Sequence, residues 1–340
     1  MLHLDGAYGE GGGQILRTSL SLSAVLGVPV RIENIRAGRP KPGLRPQHLT
    51  AVKALAQVTS AEVTGAELGS RELTFRPRAP QAGNYLFDVA EKIGSAGSVT
   101  LIAQALLPPL LRAAGPATLT LRGGTHVPWS PPAHYLVYVF LPTLALLGGE
   151  VAMALERWGW YPRGGGEVRL QVQPVPALTG VDWRRPAPLS AFQALSAASR
   201  LPEHVVRRQA AQLQARLGQD LPVAEVQAGS LDPGSLVFLW GPQAGFHALG
   251  ARGKPAEQVA DEAADAFLRW QQSRAALDHH LADQVTLYLA QARGPSRFTT
   301  VEVTSHLLTN IWVVEQFLGP TFQVQGDLGN PGEIVCQGHG

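Results

Sequence analysis

The stretch TSHLLTNIWVV, residues 304–314, opens on a polar turn that carries a histidine and runs on into an apolar helical face. Two other stretches read the same way, PQHLTAVKAL from Pro46 and PAHYLVYVFL from Pro132. Each follows a further helical pattern: GQILRTSLSLSAVLG from Gly13, GSVTLIAQALL from Gly97 and ADQVTLYLAQA from Ala282. Between and after these helices lie β-branched or alternating runs, at Pro29 to Ile35, Glu72 to Arg76, Ala117 to Arg122, Glu167 to Val172 and Thr321 to Gln325. The order helix, strand, helix, two strands recurs. It predicts an α+β fold in which a unit of about 80 to 90 residues is repeated three times.

The segment 182–274 stands outside that repeat. It follows the Pro-rich boundary QPVPALTG and reads strand, helix (Pro202 to Leu217), strand, strand and a long polar helix (Pro255 to Arg274). The expected organisation is a large domain from 1–181 and 275–340, with 182–274 as an inserted small α/β domain.

Composition bounds the rest. Of 340 residues, 45% are hydrophobic and 16% charged, enough apolar material for a sizeable core and unlike a disordered or fibrous chain. The net charge of +2 names no partner, but 24 of the 28 basic residues are Arg, which favours bidentate contacts with phosphate or carboxylate. A single cysteine, Cys336, excludes an internal disulfide framework and a Cys-rich zinc site. The N-terminus has neither the basic nor the apolar region of a secretion signal, and the longest apolar stretch, Tyr135 to Gly149, is too short to span a bilayer. A cytoplasmic protein with no membrane partner is expected.

Several residues point to phosphate chemistry. Gly9-Glu10-Gly11-Gly12-Gly13-Gln14 lies between a short strand, Leu2 to Asp5, and a helix, where bare N–H groups can approach an anion. A plain tight turn is the alternative, and neither the P-loop nor the dinucleotide fingerprint is present. Glu10 amid such amides makes most sense with a divalent cation between it and phosphate oxygens. From Arg31 to Lys53 six basic residues face one acid, Glu33, in a stiff Gly- and Pro-rich loop that ends with Gln47 and His48 at a helix start. That strip suits guanidiniums held around phosphates, or is a solvated loop. His306 sits at a helix N-terminus, which favours the neutral imidazole, a base or a nucleophile. His48 and His134 sit at similar starts, so position alone does not separate them. Asp283 and Gln284 in His279-His280-Leu281-Ala282-Asp283-Gln284 read equally as helix caps. No Lys lies in a K-x-D-G context and no G-x-S-x-G elbow appears, which removes the lysine-adenylate ligases and the Ser-His-Asp hydrolases.

With these pieces together the chain resembles the RNA 3′-terminal phosphate cyclases. The matching stretches are LDGAYGEGGGQILR at 4, IRAGRPKPGLRPQHL at 35, GAELGS at 65, IGSAGSVTL at 93, GGTHVPWSPPA at 123, GWYPRGGGEV at 159, HLADQ at 280 and SHLLTNIWVVE at 305. The resemblance implies three βαβαββ-type units with a small domain inserted in the third. It implies ATP and a divalent cation (Mg or Mn) as cofactors, and an RNA with a 3′-phosphate end as partner; it leaves a homodimer open. The implied reaction joins AMP to a histidine, passes it to the RNA 3′-phosphate, and closes a 2′,3′-cyclic phosphate as the 2′-hydroxyl expels AMP. His306 matches the adenylated histidine and Glu10 the metal-holding carboxylate. Arg17, Arg36, Arg39, Gln47 and His48 match groups that grip the phosphates of ATP or of the RNA end. Gln104, Pro131, His280, Leu281, Ala282, Asp283 and Gln284 match the ATP site. Where relatives often stack a tyrosine on adenine this chain has His280, and His126 stands where an acid or amide is common.

Two other readings share the fold. One is a cyclase-like protein of RNA processing that lacks the catalytic histidine, against which His306, Glu10, Arg17 and Gln284 all argue. The other is enolpyruvyl transfer, whose enzymes share the repeated-unit architecture but not these ATP-site motifs.

Overall fold

The computed structural model describes residues 1–89 and 96–340, so Ile93, Gly94 and Ser95 of the stretch quoted at 93 lie outside the described residues. The first unit runs β1 (Leu2–Asp5), α1 (Gly13–Leu26), β2 (Val30–Glu33), α2 (Pro46–Thr59), β3 (Glu62–Thr64) and β4 (Leu73–Arg76). Its sheet has the order β1-β2-β4-β3, with β1 and β2 parallel and β4 antiparallel to both of its neighbours. A parallel pair needs a crossover, and α1 supplies it.

The second unit repeats the plan. It comprises β5 (Gly83–Asp88), α3 (Val99–Leu110), β6 (Ala117–Gly123), the short α4 (Ala133–Tyr135), a π-helical turn at Leu136–Phe140, α5 (Leu141–Leu146), β7 (Glu150–Arg157) and β8 (Gly166–Gln173). The order is β5-β6-β8-β7. Then β9 (Leu178–Thr179) leads to β10 (Asp182–Trp183), the first strand of the third unit.

Between β10 and the rest of that unit comes a separate layer: β11 (Gln193–Ser199), α6 (His204–Leu217), β12 (Val223–Gln227), β13 (Gly234–Gly241), β14 (Ala244–Leu249) and α7 (Ala256–Ser273). The chain then completes the third unit with α8 (His279–Ala290), β15 (Ala292–Arg293), β16 (Ser296–Thr300), α9 (Ser305–Leu318), β17 (Phe322–Gln325) and β18 (Gly332–Cys336). Its sheet order is β10-β16-β18-β17, with β10 parallel to β16 and the other pairs antiparallel. The expected three-fold repeat is therefore observed strand for strand, while β15 pairs with β9 outside it.

Two details depart from the sequence reading. Three strands, not two, separate α6 from α7. The break between β13 and β14 is a two-residue turn at Pro242 and Gln243, with Gln243 rather than Gly or Asn at positive φ, so it gives a weak turn signal. Asp182 and Trp183, counted with the insert, hydrogen-bond to β16 and belong to the third unit's sheet.

The inserted sheet has two apolar faces. Ala194, Val237, Leu239, Phe246 and Ala248 point to α6 and α7 and form a core with Leu213, Val259, Ala260, Phe267 and Trp270. The alternate residues Leu195, Ala197, Leu236 and Phe238 belong to the main core. Period-2 alternation makes this strand pattern a layer between two cores. Each fully buried Leu or Phe contributes about 1.5–3 kcal/mol of apolar burial.

Candidate active site

The starts of α1, α8 and α9 converge through a buried polar relay. Thr18 Oγ1 donates to Asn310 Oδ1 at 2.8 Å, and Asn310 Nδ2 donates to the Asp283 carbonyl at 2.9 Å. The glycine loop lies on α9 because Tyr8 stacks on Trp312 with ring centroids 3.9 Å apart. Gly9 has φ +57, and a Cβ there would stand 2.5 Å from Thr309 Oγ1, so only glycine lets the loop approach this closely.

That approach delivers Glu10 to His306. Glu10 Oε2 lies 3.0 Å from His306 Nε2 and 3.4 Å from an Arg39 guanidinium nitrogen. On the other side of the ring, His306 Nδ1 is hydrogen-bonded to Gln14 Oε1, and Gln14 Nε2 donates to the His306 carbonyl at 3.3 Å. The Thr304 side chain caps α9 by accepting from Leu307 N at 3.0 Å, which fixes the turn carrying His306. Burial lowers the His306 pKa below the ordinary histidine value, with Arg17, Arg39 and His279 adding to the effect and Glu10 opposing it.

Beside His306 opens a cleft of about 430 Å³. Arg17, Gln104, Pro131, His280, Asp283 and Gln284, all expected at the site, line it together with His306. Gln104 Nε2, Gln284 Oε1 and the Tyr288 hydroxyl are buried there and have no hydrogen-bond partner in the protein. An unmet donor or acceptor costs about 1–3 kcal/mol, so an unmet donor and an unmet acceptor on residues that line one cleft favour a polar ligand. Burial lowers Arg17 to about 10, and the Asp283 charge opposes that shift. Burial, then Asp278, raise the Asp283 carboxyl well above its usual range. The His280 ring lies 3.9 Å from that of His279 and 5.9 Å from that of His247, and burial holds it well below the ordinary histidine value.

Other expected residues stand outside the cleft. The side chains of Leu281 and Ala282 are wholly buried in the core, which leaves only their backbone for a ligand. Arg36 donates to the carbonyls of Lys41 (2.6 Å) and Gly43 (3.0 Å), so it braces its own loop. Gln47 Oε1 accepts from Ser98 N at 3.0 Å and ties α2 to the start of α3. His48 Nδ1 accepts from Arg45 N at 3.2 Å, and its ring lies against Gly13. Burial, then Arg17, Arg36 and Arg45, lower His48 to about 3. The basic strip thus wraps the glycine-loop end of α1.

Sequence reasoning missed several residues. Gln14 was quoted only as part of the glycine stretch, though its place after three glycines was a usable signal. Tyr288, together with His247 and Leu249 of β14, lines the cleft without a local motif. Trp129 stands at its rim, 94% exposed and at φ 61. His126 bonds to Thr125 Oγ1 (2.8 Å) and His134 Nδ1 (2.7 Å), stacks on Trp158 and is fully buried.

Among the described residues no cluster of three or more His, Cys, Asp or Glu is placed to hold a metal ion. Glu10 fits the narrower task of one carboxylate for a cation that arrives with phosphate oxygens. Among the described residues no helix is long and apolar enough to cross a membrane.

The family described as RNA 3′-terminal phosphate cyclase matches residues 8–324. A protein of that name from Pyrobaculum neutrophilum is 47% identical over 336 residues, 95% of each chain. Another, from Methylococcus capsulatus, is 49% identical over 328 residues, 93% of this chain and 91% of that one. Among solved structures, the EPSP synthase of Acinetobacter baumannii aligns over 95% of this chain and 62% of its own, at 11% identity and a TM-score of 0.31, too low to bear on fold or function.

Proposed function

The chain belongs to the RNA 3′-terminal phosphate cyclase family, and from that premise we propose that it converts an RNA 3′-phosphate end to a 2′,3′-cyclic phosphate at the expense of ATP. The observation that carries this reading is His306, flanked by Gln14 and Glu10 beside a cleft with unmet polar groups.

In the first step His306 Nε2 attacks the α-phosphorus of ATP, and the bond to the bridging oxygen breaks to release pyrophosphate. With Glu10 turned from Nε2 to a cation, Gln14 Oε1 would accept from Nδ1–H, the tautomer that puts the lone pair on Nε2. The lowered pKa keeps that lone pair available at neutral pH. An oxygen of the RNA 3′-phosphate next displaces the histidine from AMP, and the 2′-hydroxyl then attacks the 3′-phosphorus and expels AMP. Transfer at phosphorus asks mainly for positioning and charge neutralisation, which Arg17, Arg39 and the α1 and α9 N-termini supply. A divalent cation, when bound with ATP, neutralises phosphate charge; Glu10 is the residue to hold it. Gln104 and Gln284 offer a donor and an acceptor to the purine edge, with Pro131 and His280 for its faces. His48 and Gln47 brace the strip that receives the RNA end. In this reading residues 1–181 and 275–340, with β10 of the third unit's sheet, carry the chemistry, and the rest of 182–274 forms the inserted domain.

The test is incubation with α-labelled ATP and magnesium, then denaturation. The expected result is label on the protein that is lost in acid and survives alkali, as a phosphoramidate does, and that is absent from His306→Ala. No label on a folded wild-type protein that binds ATP sinks the reading and favours a non-catalytic RNA-binding protein.

A further inference from the structure

We infer that the inserted layer forms one wall of the nucleotide cleft, with His247 on β14 as a ligand-contacting residue and buried Asp278 as the positioning residue that registers this wall against the start of α8. The inference rests on the nucleotide reading of the cleft and adds a role for the insert within it.

The strand register supports this first. In β14, Ala244, Phe246 and Ala248 alternate into the insert's own core. The intervening residues Gly245, His247 and Leu249 face the other way, and His247 and Leu249 line the same cleft as His306 and Gln284. Gly245 marks a close approach: a Cβ there would stand 2.7 Å from Val139 and 3.0 Å from the Tyr135 ring. That contact falls where the helix after α4 widens into a π-turn, at Leu136–Phe140. On the next strand, Trp240 stacks on Tyr138 with centroids 4.8 Å apart.

A single carboxylate then joins three elements. Asp278 is completely buried and caps α8, its Oδ1 accepting from His280 N at 2.8 Å and Leu281 N at 3.0 Å. Its Oδ2 accepts from Gly245 N of the insert at 2.9 Å. The Tyr135 hydroxyl donates to both oxygens, at 2.9 and 2.8 Å. The turn that carries His280, Asp283 and Gln284 is therefore held at a set distance from His247 by one side chain. A carboxylate with this many donors tolerates burial that an unpaired one would not.

Asp278→Asn separates the two bonds. Its amide oxygen keeps the α8 cap, while its NH₂ group replaces the acceptor and meets Gly245 N–H donor to donor. The experiment compares wild type, Asp278→Asn, His247→Ala and, as a control on the outer face of the insert, Arg208→Ala, which loses only the exposed pair with Glu257. Binding of a non-hydrolysable ATP analogue with magnesium is measured by calorimetry, and self-labelling by ATP is followed for KM and saturating rate, with thermal melting as a fold check.

The expected result is a roughly tenfold weaker analogue Kd and a similar rise in the ATP KM for both cleft variants. The saturating rate should stay within about twofold and Arg208→Ala should match wild type, since the lost contact is uniform binding. A merely structural Asp278 would lower the melting temperature and the labelled fraction at an unchanged KM, and that outcome overturns the positioning role. An unchanged Kd in His247→Ala overturns the wall. Wild type that binds the analogue but takes no label leaves the Kd comparison to decide the wall and defeats only the histidine chemistry. Wild type that does not bind the analogue overturns both.

Discussion

His306 is held between Gln14 Oε1 on Nδ1 and Glu10 on Nε2, and a neutral ring donates to only one of the two. In the proposed reaction Gln14 takes the Nδ1 proton, and Glu10 must leave Nε2 for another partner before that nitrogen can attack. Gln14→Leu keeps the shape and removes the acceptor. It should slow self-labelling by about 10- to 100-fold, the usual cost of losing a partner that orients a reactive ring, with the analogue Kd unchanged. Single-turnover labelling checks this, and an unaltered rate would remove Gln14 from the chemistry. The same ring shows what sequence made legible. His306 and Glu10 each sit in a compact local motif, so both were readable. Gln14 acts across a separation of 292 residues, which no local pattern encodes. His247 was hidden for a related reason, since nothing in an alternating strand says which neighbour its outer face will meet. Arg36, expected at the phosphates, also spends its Nη1 on two backbone carbonyls of its own loop, a contact no local pattern encodes.

At the scale of elements, helix starts rather than helix bodies build the site, and their fit is tight. Gly13 is the first residue of α1, where a Cβ would stand 2.2 Å from His48 Nε2 and 3.1 Å from an Arg17 nitrogen. Alanine would gain about 1 kcal/mol of helix propensity, but overpacking costs about 1–3 kcal/mol and displaces the His48 ring and the Arg17 guanidinium. Gly13→Ala should therefore lower both the melting temperature and the rate of RNA cyclisation. Gly38→Ala, with nothing within 4 Å of its Cβ, should change neither. Equal melting curves for the two variants would contradict the packing argument. The repeated helices were visible because their 3.6-residue periodicity is intrinsic and each unit restarts it. The π-turn at Leu136–Phe140 and the hairpin at Pro242 and Gln243 were not, because each is a local exception within an otherwise regular run.

For the whole molecule, the joining of the insert to the three units leaves many histidines in low-dielectric surroundings, and this sets how stability responds to acid. Burial lowers His48 to about 3 and His134 and His247 to about 4, and it lowers His126, His280 and His306 as well. In the unfolded chain each titrates near 6.5. Between about 6.5 and 4 the unfolded state therefore binds more protons than the folded one, so this stability is complete above 6.5 and is lost as pH falls. Asp278 and Asp283, whose carboxyls are raised by burial, act in the opposite sense, because the folded state takes up their protons first. The acid response expected here rests on His48, His134 and His247. The exposed carboxylates lowered by arginine partners, such as Glu167 and Asp182, lose their contribution only at lower pH. At about 2 kcal/mol for each fully neutral histidine at pH 5, the melting temperature should fall steeply between pH 6.5 and 5, before the surface ion pairs titrate. His134→Asn keeps an acceptor near His126 Nε2 but does not titrate, so it should shrink that fall without steepening the part below pH 4.5. A melting temperature that stays level from pH 7.5 to 5 would mean that these histidines are not held neutral. Because His247 lines the cleft and stays neutral in the folded protein down to about 4, analogue binding by the folded protein should hold level from pH 6.5 to 5 while the melting temperature falls.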